Sequence, residues 1–142
     1  MVKLTTPILL VEDDEIDVLI VKDACKNISI SDQLIVAKNG VEALKLLRDA
    51  NREKPGVILL DLSMPKMDGF EFLRILKQDD ILKTIPVIVV TNSKDEKDMV
   101  ESRRLNIAGY FVKSTDYSQF AEMIKNINLL ATYSLFDFPK II

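Results

Sequence analysis

The chain has no histidine and one cysteine, Cys25, among its 142 residues. Without histidine, neither Ser-His-Asp nor Cys-His catalysis is available, and no His-ligated zinc site can form. One cysteine excludes an intrachain disulfide and any multi-cysteine metal centre, and it fits a reducing, cytoplasmic setting. Basic charge is not in excess: 19 Lys and Arg stand against 22 Asp and Glu, which argues against a nucleic-acid partner. No apolar run approaches the roughly 20 residues needed to span a bilayer. Met1 to Pro7 leads straight into an apolar run and does not read as a secretory signal. Carboxylates, hydroxyls, lysines and hard cations are left to carry any chemistry.

What is present is an ordinary globular balance, 48% hydrophobic and 29% charged, in a length that suits one domain. The chain is organised around Val57-Ile58-Leu59-Leu60-Asp61 and the turn Leu62-Ser63-Met64-Pro65-Lys66-Met67-Asp68-Gly69. Four apolar residues running into one carboxylate predict a central strand buried on both faces. Similar runs are Pro7 to Glu12, Leu34 to Ala37, Pro86 to Thr91 and Gly109 to Lys113. Between them lie helical patterns. The first, to about Asn27, has a wide apolar face of Ile16, Leu19, Ile20 and Ala24, with Val18, Val21 and Cys25 beside it. A second, capped by Asn39, carries Ala43, Leu44, Leu46, Leu47 and Ala50; a third, from Gly69, carries Phe72, Leu73 and Leu76. The fourth, from Asp95 to about Asn106, is mostly charged, with Met99, Val100 and Leu105 as apolar contacts. The last carries Phe120, Ile124, Ile127 and Ala131.

Five strand–helix alternations predict an α/β fold. We expect a five-stranded parallel sheet of order 2-1-3-4-5, flavodoxin-like, with five helices covering both faces in three layers. The switch point of that order lies between the first and third strands, where open sheets bind ligands. It sets Asp13 and Asp14 beside Asp61, with Thr91 and Lys113 arriving from the next two strand ends. Taken singly, each residue has a plainer role. Asp13 or Asp14 could cap the first helix, Thr91, Asn92 or Ser93 could cap the fourth, and Lys113 could be a solvated strand-end lysine. Three crowded carboxylates favour a cation, and with oxygen ligands the natural choice is Mg²⁺. A carboxylate beside Mg²⁺ can attack phosphorus and become an acyl phosphate, with no proton to remove first. The metal and Lys113 would offset charge on the transferred group, and Thr91 could donate to a phosphoryl oxygen.

At these residues the sequence resembles the receiver domains of two-component response regulators. The likeness rests on Val11-Glu12-Asp13-Asp14, Leu60 to Gly69, Val90-Thr91 and Tyr110-Phe111-Val112-Lys113, and it covers nearly the whole chain. It implies that Asp61 accepts a phosphoryl group from a histidine kinase or phosphotransfer protein, which supplies the histidine missing here. It implies that Asp14, Asp61 and the Ser63 backbone carbonyl bind Mg²⁺, with Asp13 assisting through water. By the same likeness Thr91 and Tyr110 form a switch pair, Lys113 contacts the phosphoryl group, and phosphorylation controls binding to a downstream protein. Ser114 departs from the family's usual proline after the lysine, which leaves the geometry of the Lys113–Ser114 bond open. Asn92 replaces a smaller residue, and Ser63 and Ser93 stand where the family tunes phosphoryl lifetime.

Other functions meet specific obstacles. A haloacid-dehalogenase-type phosphatase needs a second Asp two positions after the first, where Ser63 stands, so no enzymatic turnover is expected. A flavodoxin-like cofactor site needs a phosphate cradle after the first strand, where Glu12 to Glu15 would repel phosphate. A degenerate receiver that serves only for docking has no need of the full acid, Thr and Lys set. The expected organisation is a receiver over 1–131 and an apolar tail over 132–142 with no output domain, closest to the short regulators of phytochrome-type kinases. Tyr133, Leu135, Phe136, Phe138, Ile141 and Ile142 make the tail sticky, which predicts a symmetric homodimer through the last helix and tail.

Overall fold

The computed structural model describes residues 6–27, 33–64, 66–92, 95–113, 118–119, 122–124 and 126. The strands are β1 (Ile8–Val11), β2 (Leu34–Ala37), β3 (Val57–Leu60), β4 (Val87–Thr91) and β5 (Gly109–Val112). The helices are α1 (Glu15–Asn27), α2 (Gly40–Leu47), α3 (Gly69–Gln78) and α4 (Glu96–Arg104), with helical backbone again at 118–119, 122–124 and 126. All strands pair in parallel in the order β2-β1-β3-β4-β5, as the alternation predicts. The expected tail over 132–142 lies outside the described residues. No helix among the described residues is long and apolar enough to cross a membrane.

β1, β3 and β4 are buried at every position, and successive side chains supply opposite faces. Leu9, Val11, Ile58, Leu60, Val87 and Val89 join the core under α2 and α3. Ile8, Leu10, Val57, Leu59, Ile88 and Val90 join the core under α1, with Met123 and Ile124. The continuous apolar runs are therefore two interleaved stripes, one for each layer of helices.

The helix caps follow from sequence. Asn39 Oδ1 accepts from Glu42 N at 2.9 Å to start α2, and Asp68 Oδ1 accepts from Glu71 N at 2.9 Å to start α3. Two details of the expected faces change. Ile16 and Leu19 are 69% and 62% exposed, whereas Val21, Ala24 and Cys25 are buried. A sheet face covers only one stripe of a helix, so the edge of the wide apolar band on α1, at Ile16 and Leu19, is left in solvent. On α4, Met99 packs against the core, as does the C-cap residue Leu105, but Val100 faces out, and the one buried residue of the helix is Ser102.

Candidate functional site

The site forms where β1 and β3 end side by side. Val11 pairs with Leu60, so the residues that follow, Glu12 and Asp61, leave the sheet at the same level. Asp61 N donates to Val11 O at 3.0 Å, and Glu12 N donates to Ala37 O at 2.9 Å, which extends the ladder by one bond on each side. One carboxylate oxygen from each of Glu12, Asp13 and Asp61 can be chosen so that all lie within 4.8 Å of one another. Glu12 and Asp61 are buried, and Asp13 is exposed.

Asp14, read from sequence as a metal ligand, points elsewhere. Its Oδ1 accepts from Ile16 N at 2.9 Å and from Asp17 N at 3.3 Å, the geometry of a cap on α1. The reason is a shift of one residue. The apolar run read from sequence extends to Glu12, but β1 ends at Val11, so the acids that reach Asp61 are Glu12 and Asp13. Sequence reasoning gave Glu12 no role. The signal that finds it is parallel register, since both acids come directly after paired strand ends.

Lys113 arrives from β5, fixed by Lys113 N donating to Thr91 O at 2.7 Å. Its ammonium donates to Glu12 Oε1 at 2.5 Å and to Asp17 Oδ2 at 2.7 Å, and lies 3.7 Å from Asp61 Oδ2. No sequence motif singles out Asp17. Its place, one turn after the Asp14 cap, brings it over the site. Burial lowers the Lys113 pKa, but the Asp17 and Glu12 carboxylates outweigh it and hold the ammonium above its usual value. Burial pushes the Glu12 carboxyl up to about 8, against the pull of Lys113.

The turn after β3 is tightly built. Gly69 N donates to Leu62 O at 2.9 Å, and a Cβ at Gly69 would lie 2.6 Å from both Asp61 O and Leu62 Cα. Lys66 takes a left-handed φ of 66° to close this turn. Ser63 is exposed, and its N donates to Asp61 Oδ1 at 3.4 Å. Thr91 and Tyr110 are both buried. Thr91 pairs with Val112 and Val89 with Tyr110, so Thr91 and Tyr110 share one sheet face, the face that also packs Met99 of α4 and its C-cap residue Leu105. Asn92 is exposed; Ser93 and Ser114 lie outside the described residues, and with them the geometry of the Lys113–Ser114 bond.

Oxygen donors alone, three of them carboxylates, suit a hard divalent cation rather than a soft one. Residues 8–125 match the family described as the response regulator receiver domain. The chain belongs to that family. It is 38% identical over 124 residues to Response regulator Rcp1 of Synechocystis sp. strain PCC 6803, covering 84% of each chain. It is 33% identical over 119 residues to the polar-differentiation response regulator DivK of Brucella anthropi, covering 84% of this chain and 93% of the relative. Among solved structures, the phosphorylated cyanobacterial phytochrome response regulator RcpA has a TM-score of 0.83 at 35% identity, covering 91% of this chain and 95% of its own. The Mn²⁺-bound form of Rcp1 has a TM-score of 0.81 at 35% identity, covering 91% and 96%. The chain is therefore a receiver of two-component signal transduction with the flavodoxin-like topology expected from its alternating elements.

Proposed function

We propose that Asp61 accepts a phosphoryl group from a histidine kinase or phosphotransfer protein, in a Mg²⁺-dependent reaction, and that phosphorylation governs binding to a downstream protein. The observation that carries this reading is the convergence of a largely covered lysine and two further acids on one strand-end carboxylate, Asp61. The Mn²⁺-bound form of Rcp1 and the phosphorylated form of RcpA support it by likeness.

An Asp61 Oδ lone pair attacks phosphorus in line with the leaving group. The P–O bond to Asp61 forms as the P–N bond of phosphohistidine breaks. The bond electrons leave with the imidazole, which takes a proton from solvent. With acetyl phosphate the P–O bond breaks instead and acetate leaves. Lys113 lies close enough to Asp61 to meet the charge that arrives on the phosphoryl oxygens. Held by Glu12, Asp13, Asp61 and the Ser63 carbonyl, Mg²⁺ would supply charge compensation to those same oxygens. Asp14 is left to cap α1.

The chain acts as recipient and signal rather than as a turnover enzyme. Its kinase and target are proteins in the cytoplasm; neither nucleic acid nor membrane is a partner. Thr91 and Tyr110 couple the site to α4. The last helix and tail join two copies in a homodimer.

Acetyl phosphate and Mg²⁺ should add one base-labile phosphoryl group per chain, detected as a mass gain on the intact protein. Asp61→Asn should abolish it. Labelling of Asp61→Asn at the parent rate would refute the assignment.

A further inference from the structure

We propose that Asp17 is a positioning residue that holds Lys113 back from Asp61, so that α1 restrains the rate at which the acceptor is phosphorylated. The inference rests on Asp61 being the acceptor. It adds a residue outside the acids that gather with Asp61.

The ammonium has three N–H groups. One donates to Glu12 and one to Asp17, at 2.5 and 2.7 Å. The 3.7 Å to Asp61 is ion-pair range but too long for a hydrogen bond. Lys113 is thus turned toward α1 while the unphosphorylated acceptor waits beside it. Its side chain is only 9% exposed, which limits how far solvent can screen these contacts.

Asp17 cannot easily follow Lys113 toward Asp61. Its helix is fixed at the start by the Asp14 cap and further along by Val21, Ala24 and Cys25, all buried against the sheet. A phosphoryl group arriving at Asp61 brings new anionic oxygens to within reach of the ammonium. Lys113 must then loosen its bond to Asp17, or share its charge, to meet them. A carboxylate acceptor holds an ammonium more strongly than an amide oxygen does. Asp17→Asn keeps the shape of the side chain and weakens that hold. Glu12 is a different case, because it belongs to the acid cluster itself.

The test compares initial labelling rates with acetyl phosphate and Mg²⁺ at fixed ionic strength. Asp17→Asn should label about three- to tenfold faster than the parent, the size expected when a partly exposed, charge-assisted bond is released. Asp17→Glu should restore a rate near the parent's, since the acceptor charge returns. In a Lys113→Gln background, Asp17→Asn should leave the rate where Lys113→Gln alone sets it. A merely structural effect of Asp17 would persist in that background. Equal or slower labelling of Asp17→Asn would overturn the proposal. So would Asp17→Glu labelling as fast as Asp17→Asn, or the same acceleration without Lys113. Undiminished labelling of Asp61→Asn would instead overturn the acceptor assignment, and absence of labelling in the parent would overturn both.

Discussion

Neutralising an acid of the site should make the protein more stable at mildly alkaline pH. Glu12 is 3% exposed, and burial moves its pKa from 4.5 up to about 8 while Lys113 pulls it down. A folded-state value above the unfolded one means the folded chain binds the extra proton. The contribution to stability is then full below pH 4.5 and is lost as pH rises through 8. A move from 4.5 to about 8 corresponds to roughly 5 kcal/mol at most, the greater part of it falling between pH 5 and pH 8. Glu12→Gln has no proton to lose at this position. Its amide oxygen can still accept from Lys113. Its NH₂ group, however, faces Asp14 N, which now donates to Glu12 Oε2 at 3.2 Å. That mismatch should destabilise the variant by about 1 kcal/mol at every pH. Relative to the parent, the variant should be slightly less stable at pH 5 and clearly more stable at pH 8. With a urea m-value of about 2 kcal/mol/M, the relative midpoint should move by about 2 M between the two pH values. Urea titrations with EDTA present, so that no cation intervenes, would measure it. Parallel pH profiles for parent and variant would refute the reasoning.

The separate roles of the two neighbouring aspartates can be tested in the same way. Asp14→Ala should cost about 0.5–2 kcal/mol through loss of the α1 cap but keep Mg²⁺-dependent labelling. Asp13→Asn should change stability little and slow labelling at least tenfold; the reverse pattern would restore Asp14 as the ligand. Thr91→Ala should still accept phosphate but lose the phosphorylation-dependent change in amide exchange across α4 and β5. Equal exchange changes in variant and parent would remove Thr91 from the switch. Deleting residues 132–142 should convert a dimer into a folded monomer, read by sedimentation at tens of micromolar. A full-length chain that already sediments as a monomer would refute the dimer.

Much of this protein is written locally. Four-residue apolar runs such as Val57 to Leu60 bury both faces most readily inside a parallel sheet, so fold class follows from alternation; right-handed crossovers leave few strand orders, and the expected one, 2-1-3-4-5, is the one observed. Asn39 and Asp68 announce their helices because a cap is made by the residue and its nearest neighbours. Asp61 and Lys113 stand out because each is a charge placed directly after an apolar strand. Other features depended on three-dimensional register. Whether Asp13 or Asp14 turns toward Asp61 depends on where β1 stops: it ends at Val11, so Glu12 and Asp13 gather with Asp61 while Asp14 already caps α1. Which part of the apolar band of α1 is buried was decided by docking against the sheet, which left Ile16 and Leu19 in solvent. The contact between Asp17 and Lys113 joins residues 96 positions apart. Neither residue's neighbours in sequence carry any trace of it, because it exists only once α1 and β5 have packed against the same edge of the sheet.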